Sequence, residues 1–174
     1  MKRFIEVLAF CLAFQAPVSA LEITSMSTEA AKGAVKGDFT FSALTVKGVT
    51  YEKGAVIMPV TENRGKTFND VKLLSKKLYV KIEACFKSGC VKSAKAPAPP
   101  AVKVSAVRPL KSKARVANAE ISFDGELLVV VGIMASSKEP GTFWGAFPDV
   151  VAFSDPAFKS AVESAAIAAW TGKK

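Results

Sequence analysis

The sequence predicts an α+β protein with two small antiparallel sheets, each followed by one C-terminal helix and packed together as an intramolecular pseudo-dimer. Three observations lead to this fold class. The chain has 174 residues, enough for one ordinary domain or two small ones. A stretch rich in Ala, Pro and Lys at its centre, residues 93–101, is unsuited to a helix or a central strand. On either side of this predicted linker, several strand-like runs precede one helix-like run.

The first twenty residues have the pattern of a secretory signal peptide. A basic start at Lys2 and Arg3 precedes an apolar run over residues 7–14, and small residues at 18–20 form a cleavage site. The apolar run is too short for a stable membrane anchor, and a large residue before the first cysteine disfavours a lipoprotein site. We therefore expect an exported protein, periplasmic or secreted, that begins at Leu21 and has no transmembrane span.

The strands are predicted from runs rich in β-branched and aromatic residues that are bounded by turn-forming residues. In the first half these runs are residues 21–26, 35–41, 44–51 and 55–58. In the second half they are residues 102–107, 115–123, 127–134 and 142–147. Residues 63–66 are predicted to be a loop, and Asp124-Gly125 predicts a two-residue hairpin turn.

Each half ends in one predicted helix. Ser75 is the expected N-cap of a helix over residues 76–86, and Asp155 with Pro156 begins a helix that extends to Trp170. Apolar residues three and four positions apart predict one buried face on each helix. In the first helix this face is Leu74, Leu78, Ile82 and Cys85. In the second helix it is Phe158, Val162, Ala165 and Ala169.

The same order of elements occurs twice, which indicates an internal repeat. The predicted boundaries are a first repeat over residues 21–92, the linker over 93–101 and a second repeat over 102–174. The alternative is a chance likeness between two small α+β units.

Several segments resemble a known family in their order and spacing. They are residues 104–108, 121–129, 132–133 and 141–148 in the second repeat, and Met58-Pro59 and residues 65–70 in the first. Each repeat resembles the SpoVG family, small bacterial regulators named for sporulation and septation. The resemblance implies a small antiparallel sheet with one C-terminal helix that dimerises through sheet edges. It also implies binding of DNA or RNA by basic residues of the helix region.

Positive charge is concentrated around the linker. The chain has a net charge of +9, and residues 84–119 contain lysine and arginine but no acidic residue. The candidate polyanion-binding residues of this junction are Lys103, Arg108, Lys111, Lys113 and Arg115, and the stretch also contains Lys87, Lys92 and Lys95. A second candidate group lies at the first helix, in the region that the resemblance implicates: Lys72, Lys76, Lys77 and Lys81. The alternative for both groups is an ordinary solvated surface.

The mature chain is predicted to contain two cysteines, Cys85 and Cys90, which we expect to form a disulfide outside the cytoplasm. Their spacing is not that of a Cys-x-x-Cys redox motif. Two thiolates in a chain without histidine also argue against a zinc site. The disulfide would pin the end of the first helix.

The remaining patterns argue against catalysis. The chain contains no histidine, which excludes Ser-His-Asp and Cys-His mechanisms. Asp124 and Glu126 flank a predicted turn, where an acidic residue has a conformational role. Phe143, Trp144 and Phe147 are interpreted as core or interface residues. We expect no metal and no cofactor.

These observations favour an exported, non-enzymatic binding protein whose partner is an unidentified envelope protein or an anionic polymer. The alternative is a SpoVG-type regulator that binds DNA or RNA through the first helix, which the resemblance alone suggests. Aromatic residues that could stack on bases are absent from residues 87–122. We expect a monomer in which the two repeats pair with each other.

Overall fold

The computed structural model describes residues 21–31, 33–63, 65–90 and 98–172. The predicted signal peptide, linker residues 93–97 and the junction residues Lys92 and Lys95 lie outside the described residues. Within the described part, no helix has both the length and the apolar composition that a membrane crossing requires.

In the first half of the chain, the described residues form seven strands and one helix. In chain order they are β1 (Ser25–Ala31), β2 (Ala34–Phe41), β3 (Leu44–Glu52), β4 (Ala55–Ile57), β5 (Thr61–Asn63), β6 (Lys66–Phe68), β7 (Val71–Leu73) and α1 (Lys76–Ser88). Strands β5 and β6 pair with each other as a separate hairpin. The loop predicted over residues 63–66 is shorter than expected, because Asn63 and Lys66 belong to β5 and β6 and pair with each other.

Residues 98–172, the described part of the second half, form five strands and one helix. They are β8 (Val102–Pro109), β9 (Arg115–Phe123), β10 (Leu127–Ala135), β11 (Phe143–Ala146), β12 (Val151–Phe153) and α2 (Pro156–Thr171). The two helices and the antiparallel sheets confirm the predicted α+β class.

The first five-stranded sheet is built around β3. Its strand order is β1-β2-β3-β12, and β4 pairs with the other end of β3. Strand β12 comes from the second half of the chain, and Val151 and Phe153 lie opposite Val46 and Leu44. The first sheet is therefore completed by a strand that lies about a hundred residues further along the chain.

The second five-stranded sheet has the same plan around β10. Its strand order is β11-β10-β9-β8, and β7 pairs with the remaining end of β10. Val71 and Leu73, from the first half, lie opposite Val129 and Leu127. Each sheet thus contains one strand from the other half, and in both halves the exchanged strand directly precedes the helix.

Two of the sequence predictions for strands need correction. The hairpin strands β5 and β6 and the exchanged strands β7 and β12 were not predicted, because three residues are too few to show an alternating pattern. The strand predicted over residues 21–26 begins only at Ser25. The alternation of apolar and polar residues from Leu21 to Ile23 has another cause. The side chains of Leu21 and Ile23 are buried in the core, although neither residue belongs to a strand.

Helix α1 begins at the predicted N-cap. The Ser75 hydroxyl accepts hydrogen bonds from the backbone nitrogens of Lys77 and Leu78, at 3.1 and 3.3 Å. The buried residues of the helix are Leu78, Ile82 and Cys85. Leu74 was predicted to share this face and does not, because it precedes the N-cap; it is 49% exposed.

Helix α2 also begins as predicted, with the Asp155 carboxylate accepting from the backbone nitrogen of Ala157 at 2.8 Å. Its buried residues are Phe158, Val162 and Ala166. Ala165 and Ala169, predicted to be buried, are only partly covered. The buried stripe follows a strict four-residue spacing, which brings Ala166 rather than Ala165 onto the sheet.

One hydrophobic cluster contains buried residues from both halves of the chain. Phe158 of α2 contacts Phe123 of the second sheet and Phe153 of the exchanged strand β12, with ring centroids 6.2 and 6.0 Å apart. On the first sheet, Phe86 of α1 packs edge-on against Phe39 at 5.1 Å. The two sheets therefore share a core.

Candidate functional site

Two basic residues from the two predicted groups lie on one face of the second sheet. Lys72 on β7 is opposite Leu128, Leu128 is opposite Ser122, and Ser122 is opposite Lys103 on β8. Directly opposed residues in a sheet point to the same face. Because β7 and β8 are the two edges of this sheet, three strand spacings separate the two lysines, about 14 Å.

The edge that carries Lys103 also carries most of the junction charges. Arg108 is exposed and forms an ion pair with Glu120, with 2.9 Å between Nε and Oε1. Lys111 and Lys113 are exposed in the loop between β8 and β9. Four exposed residues of the junction thus form a basic rim along this edge of the sheet: Lys103, Arg108, Lys111 and Lys113.

Arg115 differs from the other junction residues because it is half-buried. Its Nε donates to Oδ1 of Asn118 at 2.8 Å. Its guanidinium lies over Gly132, where a β-carbon would come within 2.6 Å of Nε. Arg115 therefore covers the sheet next to the basic rim, and its guanidinium is less accessible to a ligand than the exposed lysines.

The four lysines predicted as a group at the first helix differ in their exposure to solvent. Lys76 and Lys77 are exposed in the first turn of α1, four and five positions after Lys72 on β7. Lys81 is half-buried, and its ammonium donates to the backbone oxygen of Leu21 at 3.0 Å. The structure therefore gives Lys81 a contact within the protein, whereas the other three are open to solvent.

The predicted disulfide between Cys85 and Cys90 is confirmed. It closes the segment that follows α1, where Gly89 has a φ of 82° and its backbone nitrogen bonds to the Cys85 oxygen. A positive φ of this size favours glycine. The Cys90 sulfur lies 3.5 Å from the sulfur of Met26 on β1. The bridge therefore holds the end of α1 beside the edge of the first sheet.

Near the disulfide, Lys87 and Glu83 form an ion pair one helical turn apart, with 2.7 Å between Nζ and Oε1. The hydrogen bond to Glu83 raises the pKa of the Lys87 ammonium. This junction lysine is thus neutralised locally and lies apart from the basic rim.

The loop between β9 and β10 has three residues, not the two predicted. Phe123 is opposite Leu127, so that Asp124, Gly125 and Glu126 form the turn. Asp124 and Gly125 have φ values of 49° and 66°. The third residue, Glu126, points inwards and is 9% exposed.

The carboxylate of Glu126 joins three distant parts of the chain. Its Oε2 accepts from the backbone nitrogen of Leu21 at 2.8 Å, in a buried hydrogen bond between residues 105 positions apart. Its Oε1 lies 3.1 Å from the hydroxyl of Ser75, the N-cap of α1. The backbone oxygen of Glu126 also accepts from the nitrogen of Leu74 at 2.8 Å. The sequence pattern pointed only to a turn at this position.

Asp124, the other acid of the turn, holds the end of the linker. Its Oδ1 accepts from the backbone nitrogen of Ala101 at 2.8 Å, and its own nitrogen donates to the Ala101 oxygen at 2.9 Å. Burial raises the pKa of the Asp124 carboxyl, the hydrogen bond from Ala101 opposes this change, and the nearby charge of Glu126 adds to it. These contacts give Asp124 a conformational role.

The aromatic residues of β11 and the segment after it divide into partly buried and exposed ones. Phe143 meets Trp170 of α2 edge-on at 6.4 Å, and Phe147 meets Phe153 at 4.8 Å. Trp144 is 48% exposed. Phe143 and Phe147 thus contribute to packing, as the sequence suggested, whereas Trp144 lies on the surface.

We compared the chain with models of protein families, with curated proteins and with solved structures. None matches it.

Proposed function

We propose that this chain is an exported, non-enzymatic binding protein that holds an anionic polymer of the cell envelope. In this proposal, two SpoVG-like repeats form an intramolecular pseudo-dimer. The observation that carries the proposal is the placement of two exposed lysines on one face of the second sheet, Lys72 at one edge and Lys103 at the other.

The strand exchange supports the pseudo-dimer. If the other half of the chain were absent, β3 and β10 would each have several unpaired residues along one edge. An unpaired strand edge recruits another strand. Here β12 covers that position on β3, and β7 covers the equivalent position on β10. The short linker keeps the two repeats at a high effective concentration, which favours pairing within one chain.

The spacing of the basic residues favours a polymer over a small anion. The backbones of Lys72 and Lys103 are about 14 Å apart. Their side chains can therefore each contact a different phosphate of a polymer that lies across both edges, whereas a single phosphate is reached by both only if both side chains lean over the sheet between them. Between them lie Ser122 and Leu128, which are uncharged and buried. Glu120 lies on the same face and is paired with Arg108. The β8 edge therefore presents net positive charge, and the β7 edge presents the exposed Lys72 with Asp70 two residues before it.

Inorganic polyphosphate provides a direct test. We expect the protein beginning at Leu21 to bind it with an affinity that falls as salt rises, because bound cations are released from the polymer. Replacing Lys72 and Lys103 together by Gln should reduce the slope of log affinity against log salt by about 2, since each contact contributes about 1. The measurement is a fluorescence titration at several salt concentrations.

The matched control is the double variant Lys36→Gln and Lys47→Gln. Both lysines are exposed on strands of the first sheet, so this variant has the same net charge as the test variant. An equal loss of affinity in both variants would show that net charge alone drives binding, and would contradict a site on the second sheet.

The second candidate function is nucleic-acid binding, and the exposure of Lys76 and Lys77 in α1 favours it. The same titration with labelled DNA and RNA distinguishes nucleic-acid binding from binding of an envelope polymer. It is done at about 150 mM salt, where exposed charges are screened beyond about 8 Å. We expect weak binding without sequence preference. Tight, sequence-selective binding that is lost when Lys72, Lys76 and Lys77 are changed to Glu would support the regulator instead.

Export itself is tested by the mass of the protein recovered from cells. We expect a chain that begins at Leu21 and weighs two hydrogens less than its dithiol form, because the Cys85–Cys90 disulfide is present. Alkylation without reduction should leave this mass unchanged. A full-length product from the cytoplasm with two alkylatable cysteines in residues 21–174 would contradict export.

A further inference from the structure

The contact between Leu21 and Glu126 places a buried carboxylate against a backbone nitrogen. A carboxylate that is removed from water is costly unless a positive charge or several donors compensate it. Among the described residues, the donors on the Glu126 carboxylate are the backbone nitrogen of Leu21 and the hydroxyl of Ser75. Both groups are neutral while Leu21 is preceded by another residue.

Leu21 is also the residue at which the sequence predicts that the mature chain begins. We propose that Glu126 is a receptor site for a new amino terminus at Leu21, with the α-ammonium group as its ligand. This inference rests on the processing step of the proposed function. The observation that carries it is the buried 2.8 Å contact between the Leu21 nitrogen and Oε2 of Glu126.

The reaction that creates this ligand is peptide-bond hydrolysis by a processing peptidase. Water adds across the bond between Ala20 and Leu21, so that Ala20 becomes the carboxyl end of the released segment. The Leu21 nitrogen becomes an amine, which takes up a proton at neutral pH because α-amino groups have pKa values of about 7.7–8.0. The nitrogen that donated one hydrogen bond as an amide then has three donor hydrogens and a positive charge.

The surroundings of Leu21 fix this nitrogen in place. Its side chain is 2% exposed, within the hydrophobic core. Its backbone oxygen accepts from the ammonium of Lys81 at 3.0 Å. Since the side chain, the oxygen and the nitrogen are all held, cleavage can change the charge at the nitrogen with little rearrangement. The amide already makes a charge-assisted hydrogen bond to the carboxylate, and cleavage adds the attraction between two opposite charges, which is strong where water is excluded.

The new ion pair would act on both halves of the protein. Glu126 is in the second half, and its carboxylate contacts Ser75, the N-cap of α1 in the first half. Leu21 precedes β1, at the edge of the first sheet. Processing would therefore strengthen the connection between the two halves, and the mature protein would be more stable than its precursor.

Two purified forms of the chain test this without the export machinery. One begins at Leu21 with a free amino group, and the other begins at Ser19, so that Leu21 retains an amide nitrogen. We expect the unfolding equilibrium constant of the Leu21 form to be at least about tenfold smaller, measured by chemical denaturation. In Glu126→Gln, which keeps the shape and an acceptor oxygen, this difference between the two forms should disappear.

Labelling of the amino terminus gives a second readout that needs no variant. Near neutral pH, an amine-reactive reagent should modify the native Leu21 form slowly, because its amine is buried and paired, and the Ser19 form rapidly. Equal stability of the two forms, a difference that persists in Glu126→Gln, or rapid labelling of the Leu21 form would overturn the proposal. Neither readout uses a polyanion or export, so a failure here is distinct from a failure of the proposed function.

Discussion

Cutting the chain in the linker is expected to leave the two halves bound to each other. Each half contributes a strand to the other half's sheet, and the two helices and sheets share one hydrophobic cluster. Separation would expose Val71 and Val151 together with the edges that they cover. A protease site placed between residues 93 and 97 should therefore yield two fragments that co-elute in size-exclusion chromatography and separate only in denaturant.

The complementary measurement uses each half alone. We expect the uncut chain to sediment as a monomer, whereas residues 21–92 and residues 102–174 each dimerise or aggregate, because the open edge recruits another copy. The protease-treated chain without an inserted site is the control. Two halves that separate after cleavage and remain soluble monomers would show that they are independent domains joined by a tether.

The second large effect is expected from Phe158→Ala. Phe158 is 9% exposed and contacts both Phe123 of the second sheet and Phe153 of the exchanged strand β12. Removing its ring eliminates packing at the point where the two sheets meet, and Phe→Ala changes in cores cost about 3–5 kcal/mol of unfolding free energy. Urea denaturation monitored by circular dichroism measures this change.

The matched control for this substitution is Ser164→Ala, on the exposed side of the same helix. It should change the unfolding free energy by less than about 0.5 kcal/mol. A loss below about 1 kcal/mol for Phe158→Ala would show that α2 does not depend on this contact and that the core is not shared as described.

The sequence predicted the long elements well because they have strong local patterns. Strands β9 and β10 extend for nine residues each with apolar and β-branched residues, and both helices begin at a capping residue, Ser75 or Asp155. The disulfide was also predictable, because only five positions separate Cys85 from Cys90. These features depend on residues that are close in the chain.

The unpredicted features depend on residues that are far apart. A three-residue strand such as β7 has too little pattern to indicate a strand, and nothing local shows that it pairs with β10. The alignment of Lys72 with Lys103 follows from that pairing and could not be foreseen. The contact of Leu21 with Glu126 likewise joins residues 105 positions apart. Glu126 follows Asp124 and Gly125 in a turn, where an acidic residue already has a conformational role, so nothing in the sequence indicated this distant contact.

The strand exchange also constrains the order in which the protein can be completed during synthesis. A ribosome releases the amino-terminal half first, yet β3 has no partner along half of one edge until residues 151–153 have emerged. Residues 71–73 must likewise wait for residues 127–129. The first half therefore leaves the ribosome as an incomplete sheet, and the native fold can close only after nearly the whole chain has been made. A nascent chain that cannot fold early stays unfolded for longer, and an unfolded chain is the form that can be threaded through a narrow channel.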